Sequence, residues 1–114
     1  MPGRTIERTV TIADSASLSD EIDLGDAVLV AVQPDSAWDT NAVSFQARGA
    51  DPALGTLKYE GVEVSFAAVA AEDFVTFSPS KFAGVRFLKV RSGTAGSAVN
   101  QSGASVVTLI LRGM

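Results

Sequence analysis

The chain has 114 residues, a formal net charge of -4 at pH 7, and neither cysteine nor histidine. This length predicts one domain over residues 1–114, in which residues 1–4 are a flexible arm. The missing residue types exclude disulfides, thiolate and imidazole metal ligands, and the usual general base of hydrolases. The acidic balance argues against nucleic acid as a partner. No apolar run approaches the roughly 20 residues of a membrane span, and no secretory signal peptide is predicted.

The first quarter of the chain predicts three segments of sheet. Residues 5–12 alternate apolar and polar side chains, as a half-buried strand does. Residues 16–24 are more polar and predict a bulged or edge segment. Residues 27–32 form a valine-rich apolar run that is typical of a central strand covered on both faces, and Pro34 stops it because proline has no N–H to donate.

The middle of the chain predicts a strand at residues 41–48, between two loops, and a β-hairpin over residues 57–66. The hairpin turns at Glu60-Gly61, a short connection that contains glycine and is flanked by alternating residues.

The last third adds strands at residues 74–77, 85–91 and 105–111, of which the terminal one is apolar and buried. Residues 92–103 predict a flexible loop of small and amide side chains, and residues 69–74 allow one helical turn. Eight or nine strands at this spacing predict an all-β, antiparallel two-sheet β-sandwich, jelly-roll-like, with negligible helix.

The densest acidic cluster is Asp20, Glu21, Asp23 and Asp26. Oxygen ligands at close spacing suit Ca²⁺, but these residues lack the spacing and the glycine of a calcium loop. Charges beside a turn also protect an edge strand from aggregation, and this interpretation is favoured. No metal site is predicted.

Trp38 is the single tryptophan and lies in a predicted loop with Asp35 and Asp39. It suits a stacking platform for a sugar or an interface hot spot, whereas a cap on the sandwich core is the favoured interpretation. The two aspartates suit turns in which a carboxylate bonds its own backbone.

Basic residues concentrate at Lys81, Arg86, Lys89 and Arg91, and strand alternation predicts Arg86 on the face opposite Lys89 and Arg91. A positive patch docks acidic partner surfaces, although a solvated strand face is the commoner explanation. The candidate interface residues are Trp38, Asp35, Asp39, Arg86, Lys89 and Arg91.

No residue pattern indicates catalysis. Without histidine, a serine or threonine nucleophile needs a lysine or carboxylate base, and no spacing singles out such a pair. Gly93 and Gly96 lie in a stretch that lacks the lysine and the following helix of a phosphate loop. The sequence therefore predicts a protein that is not an enzyme and uses no cofactor.

Five phrases resemble virion structural proteins of tailed bacteriophages and related gene transfer particles. They are residues 11–19 (TIADSASLS), 34–38 (PDSAW), 43–46 (VSFQ), 88–94 (LKVRSGT) and 99–101 (VNQ). The middle of the chain also resembles discoidin-type jelly rolls, whose ligand-binding loops have no residue-by-residue match here.

The virion resemblance implies a capsid decoration or cement protein that binds the major capsid protein, or another virion protein, in many copies. The implied location is the virion, after assembly in the host cytoplasm, and the implied state is a homo-oligomer that binds neither nucleic acid nor membrane. The alternative is a carbohydrate-binding or fibre- or spike-base module for host surface glycans, which an exposed Trp38 would favour. A third alternative is a metal-dependent adhesion domain, which would show calcium-dependent melting.

Overall fold

The computed structural model describes residues 4–113, so most of the arm predicted at residues 1–4 lies outside the described residues. Twelve strands are found in the described part of the chain. They are β1 (Thr5–Ile12), β2 (Ile22–Asp23), β3 (Val28–Pro34), β4 (Asn41–Arg48), β5 (Gly55–Thr56), β6 (Lys58–Tyr59), β7 (Val62–Glu63), β8 (Ser65–Val69), β9 (Val75–Thr76), β10 (Phe87–Thr94), β11 (Ser97–Ala98) and β12 (Ser105–Arg112).

The strands form two main antiparallel sheets. Sheet A has the order β1-β12-β3-β9, and sheet B has the order β11-β10-β4-β5, with β2 also paired to β10 and β8 to β4. A separate hairpin joins β6 to β7. The chain changes sheet at most of its long connections, as in Greek-key and jelly-roll sandwiches. The predicted antiparallel β-sandwich is confirmed, and its strand count exceeds eight or nine because six strands have only two residues.

The inner faces of the two sheets form the core. In β12, Val107, Leu109 and Leu111 are buried whereas Val106 is 38% exposed, which is the alternation of a strand with one face inward. The largest fully buried apolar side chains come from both sheets and from one short helix: Phe45, Phe82, Ile12, Leu29, Leu88, Leu109 and Leu111.

The short helix is a 3₁₀ turn at Pro79–Phe82, which the strand patterns did not predict. Ser78 caps its N-terminus and Pro79 occupies the first turn, where a missing N–H costs nothing. The turn places Phe82 edge to face with Phe45, at a centroid distance of 5.0 Å, and 4.9 Å from Phe77. It is the one helical segment among residues 4–113 and is far too short to cross a membrane.

The prediction of a flexible loop at residues 92–103 is wrong for the first half of that stretch. Strand β10 continues to Thr94 and returns as β11, with Gly93 opposite Ala98. Gly93 has a φ of +91°, and a Cβ there would come within 3.0 Å of the backbone of residues 97–99. Glycine is therefore required for the turn, and the small residues that suggested flexibility instead allow close backbone packing.

Two smaller expectations also differ. Strand β3 includes Pro34, which pairs with Val107 as the last residue of the ladder, where its missing N–H is not needed. The helical turn predicted at residues 69–74 is replaced by a turn in which Asp73 N donates to the carbonyl of Ala70 and Ala70 N donates to the Asp73 carboxylate. A side chain that bonds a nearby backbone N–H competes with helix formation.

Candidate functional surfaces

Trp38 lies at one end of the sandwich and is buried, as the cap interpretation predicts. Its side chain is 3% exposed, and Nε1 donates to the carbonyl of Val69 at 2.9 Å. The expectation that Trp38 belongs to the candidate interface is therefore corrected. A buried indole with a satisfied N–H offers no surface to a sugar or a partner. Instead it closes the core between the loop after β3 and the end of β8.

Asp35 and Asp39 fasten the Trp38 loop to the first residues of β12 and to the segment before that strand. Asp35 accepts hydrogen bonds from Ser105 Oγ at 2.9 Å and Val106 N at 3.0 Å, in addition to the predicted local bond from Ala37 N at 3.0 Å. Asp39 accepts bonds from the N and Oγ of Ser102, at 2.8 and 3.1 Å, which lower the pKa of its carboxyl. The local turn was predicted, but the longer clasp between distant segments was not.

Gln101 is a structural residue that sequence reasoning missed. It is 1% exposed, its Oε1 accepts from Asp39 N at 2.7 Å, and its Nε2 donates to Ser92 Oγ at 2.7 Å. A buried amide with both ends paired specifies one loop conformation. The available signal was a single glutamine in a stretch of otherwise small residues, which a flexible loop does not need.

Arg91 is also buried, which corrects the expectation that it lies in the candidate interface. It is 5% exposed, Nε donates to Ser44 Oγ at 2.8 Å, and Nη2 lies 3.0 Å from Glu63 Oε2. Its charge is neutralised inside the protein, so it adds nothing to a docking patch. Lys89, two residues earlier, is half-buried on the outer face of sheet B, where the register pairs it with Gln46.

Arg86 shares the outer face of sheet B with Lys89, which corrects its predicted placement. Because Arg86 precedes β10, strand alternation does not fix its direction. Its guanidinium lies 5.0 Å from the centroid of the Phe87 ring and makes two bonds to Asp23, at 2.9 and 3.1 Å. A planar fork that fits both oxygens of one carboxylate is a property of arginine.

A second arginine, Arg48, also lies over the Phe87 ring and forms a bidentate ion pair. Arg48 lies 4.1 Å from the Phe87 centroid and makes two bonds of 2.8 Å to Glu21. The hydrogen bonds lower the pKa values of Glu21 and Asp23 and raise those of Arg48 and Arg86. The outer face of sheet B thus carries paired charges of both signs around one phenylalanine.

The acidic cluster of residues 20–26 is dispersed in three dimensions. Asp20 Oδ1 accepts from Thr11 N at 2.9 Å, whereas Glu21 and Asp23 bind different arginines. Within the described part of the chain no three Asp or Glu side chains converge as metal ligands. Asp20 closes one end of the β1 edge, and Glu21 and Asp23 lie at the border of sheet B. Protection of sheet edges is the role favoured from the sequence.

The outer face of sheet A differs sharply from that of sheet B. The strand register places Thr9, Thr108 and Gln33 in one row across it, and Glu7, Ile110, Ala31 and Thr76 in the next. Threonine and aliphatic side chains occupy the centre, and charge is confined to the borders, where Glu7 lies on the edge strand β1. We call this surface the uncharged face and define it by Thr9, Thr11, Ala31, Gln33, Thr76, Val106, Thr108 and Ile110.

Phe74 borders the uncharged face immediately before β9 and is 54% exposed. Its position is fixed by the turn before it. Glu72 N donates to the carbonyl of Pro34 at 3.1 Å, and Gln33 Nε2 donates to the carbonyl of Glu72 at 3.0 Å. Glu72 has a φ of 66°, a conformation that the surrounding bonds must hold in a residue other than glycine. Phe74 is therefore an exposed aromatic side chain next to a turn that hydrogen bonds hold in place.

The architecture defines the chain as an antiparallel two-sheet β-sandwich protein with one charged and one uncharged outer face. No protein-family model matches it, and comparison with curated proteins finds no match. Among solved structures, the SPBc2 prophage-derived protein YomS has a similar fold, with a TM-score of 0.55 over 96% of this chain and 95% of YomS. The sequences are 13% identical, so the likeness concerns the fold, and it extends over both sheets.

Proposed function

We propose that this chain is a non-enzymatic structural protein of a tailed-phage-type particle, and specifically a capsid decoration or cement protein that binds the major capsid protein in many copies. The observation that carries the proposal is the uncharged face of sheet A with the fixed, exposed Phe74 at its border. The phrases shared with virion proteins support the phage setting. So does the full-length fold likeness to a protein derived from a prophage.

The size of the uncharged face favours a contact that is repeated on a lattice. Strands about 4.8 Å apart and same-face rows about 7 Å apart give an area of about 270 Å² for the eight positions that define the face. Two partners would then bury about 540 Å² in total, below the roughly 1,200–2,000 Å² of stable specific complexes. A contact this small is weak for a single copy and becomes effective when many copies bind a preformed array.

The charged face of sheet B suits the solvent side of such a protein. Its arginines are engaged with carboxylates of the same chain, as the bidentate pairs of Arg48 with Glu21 and Arg86 with Asp23 show. Mixed, paired charges keep a surface soluble and oppose nonspecific association. The sandwich would therefore bind through sheet A and present sheet B outward.

Trp38 gives no support to the alternative of a glycan-binding module. An aromatic platform for a sugar must be accessible, and this side chain is buried with its N–H bonded to Val69. A fibre- or spike-base role that uses protein contacts would use the same uncharged face, and the binding experiment separates it from capsid decoration.

The test is co-sedimentation of the purified protein with undecorated capsids assembled from the coat protein of the same genome. Saturable, stoichiometric binding and symmetric extra density in electron micrographs are expected. Phe74→Ser should weaken binding at least tenfold, while Val62→Ser, a matched change at a 70% exposed apolar residue on the β6–β7 hairpin, should leave it unchanged. Binding to purified fibres or tails but not to capsids would assign another virion part, and binding to glycans alone would refute a virion contact.

A further inference from the structure

Within residues 4–113, one edge of sheet A is open for most of its length. Strand β1 pairs with β12 on one side, and Gly113 N donates to the carbonyl of Arg4 at 2.8 Å at the start of this ladder. In an antiparallel pair, alternate residues direct both backbone groups to the same neighbour. Even-numbered residues of β1 therefore bond to β12, and the N–H and C=O groups of Thr5, Glu7 and Thr9 point away from it.

The opposite end of the same edge is closed, and it confirms this alternation independently. Thr11 N donates to Asp20 Oδ1 at 2.9 Å, and Asp20 N donates to the carbonyl of Thr11 at 3.4 Å. Ile12 forms a bridge to Ser19 just beyond. The open stretch is thus residues 5–9, whose six edge groups have no hydrogen-bond partner within residues 4–113.

The other sheet edges are shorter or distorted. Strands β2, β5, β9 and β11 each have two residues. Strand β8 contains Ala68 with a φ of 56°, and its register against β4 shifts between Asn41 and Val43. Short and bulged edges resist the addition of another strand, whereas a regular open stretch such as residues 5–9 of β1 accepts it.

A second copy of the chain is a poor occupant of this edge. The antiparallel pairing of two copies that uses Thr5, Glu7 and Thr9 of both places Glu7 directly opposite Glu7 of the second copy. Like charges opposite each other destabilise a strand pair. A register shifted by two residues in either direction keeps only two of the three residue pairs, because Asp20 occupies Thr11 at one end and β1 begins at Thr5 at the other. The charge of Glu7 instead favours a basic residue in the opposing strand.

We infer that the open edge of β1 accepts an extended segment of the virion subunit to which the protein binds, as an added antiparallel strand with a lysine or arginine opposite Glu7. Backbone hydrogen bonds to Thr5, Glu7 and Thr9 would supply the affinity, and the charge pair would set the register. The inference rests on the proposed function and adds a second contact, at the β1 edge of sheet A, to the one made by the uncharged face and Phe74.

The first test is the variant Thr9→Pro. The Thr9 N–H points to the open edge, so proline removes a donor from the added strand without removing a bond to β12, as proline does on edge strands. Val62→Ser, on the β6–β7 hairpin outside sheet A, serves as the control. Capsid binding should fall at least tenfold in Thr9→Pro, stay within about twofold of wild type in Val62→Ser, and fall at least tenfold in Glu7→Lys.

The second test needs no variant and is hydrogen exchange of the wild-type protein, free and bound to capsids. The amides of Thr5, Glu7 and Thr9 should exchange at least tenfold more slowly in the bound state, whereas those of Ile6 and Arg8 are internal controls that already bond to β12. Bound protein whose Thr5, Glu7 and Thr9 amides exchange at the free rate overturns the added strand and leaves the decoration role standing. A protein that binds no virion part overturns both.

Discussion

Arg91 and Glu63 form an ion pair of 3.0 Å that fastens the β6–β7 hairpin to β10. The same Glu63 oxygen accepts a hydrogen bond from Ala95 N at 2.9 Å, and Arg91 Nε donates to Ser44 Oγ at 2.8 Å. Ser44 Oγ in turn donates to the carbonyl of Gly93 at 2.7 Å. One arginine thus joins the hairpin, strand β4 and the β10–β11 turn.

Replacing Arg91 with alanine should destabilise the protein by about 3 kcal/mol, the lower end of the range for breaking a buried ion pair, because Glu63 keeps some access to water. Denaturant unfolding at pH 7 measures this. Lys89→Ala, two residues away on the same strand face, should change the free energy of unfolding by less than about 0.5 kcal/mol. Equal losses in the two variants would contradict the assigned role of Arg91.

The burial of Trp38 has two expected consequences, one for the free energy of unfolding and one for the fluorescence spectrum. Trp38→Phe removes the donor to the Val69 carbonyl and should cost about 1–3 kcal/mol, whereas Trp38→Ala should cost about 3–5 kcal/mol because it also leaves a cavity. As the only tryptophan, Trp38 should emit at short wavelength in the folded protein and resist quenching by iodide. Quenching as strong as in the unfolded chain would show that the indole is exposed.

Gly93 should tolerate no side chain. Gly93→Ala places a Cβ within 3.0 Å of the Ser97–Val99 backbone at a φ of +91°, so a loss of about 3 kcal/mol or more is expected from strain and overpacking. Gly96→Ala in the same turn meets no atom within 4 Å and should be neutral to about 0.5 kcal/mol. Thermal melting of both variants provides the comparison, and similar melting temperatures would rule out the close backbone approach.

Asp39 should contribute to the loss of folding stability at acid pH. Its pKa in the folded protein is lowered from 3.8 by the two bonds from Ser102, so its stabilisation is present at neutral pH and is lost as the pH falls through the lowered pKa. Asp39→Asn should be less stable than wild type at pH 7 and should lose less stability between pH 7 and pH 3. Ser102→Ala, which removes one of the two bonds, should lie between them in melting curves recorded across this range. Parallel pH profiles in all three proteins would exclude the contribution.

The strands with regular alternation were predictable from sequence. Strands β1 and β4 have the expected bounds, residues 5–12 and 41–48, and the hairpin turns at Glu60 and Gly61, which both have positive φ. In these segments local pattern and burial agree, because a period of two places apolar side chains on one face. The buried position of Trp38 follows from similar reasoning about an aromatic residue near the end of a core.

The polar contacts were not predictable, because they join residues far apart in the chain. Arg91 and Glu63 are separated by 28 positions, and Asp39 and Gln101 by 62. A sequence shows that a charge exists but not which buried partner neutralises it. For that reason Arg91 was assigned to a basic surface, although it is buried, and Gln101 to a flexible loop, although it is clasped at both ends.

The clasp formed by Asp35, Asp39 and Gln101 changes where a protease can cut. Cleavage requires several residues of backbone to leave the protein surface, and residues 99–106 are held by bonds to both aspartates and to residues 15–16. The exposed turn at residues 49–53 is held within the described residues by local bonds alone, from Ala53 N to Asp51 and from Arg48 Nη1 to the carbonyl of Gly49. Limited digestion should therefore cut the chain at residues 49–53 and leave residues 99–106 intact.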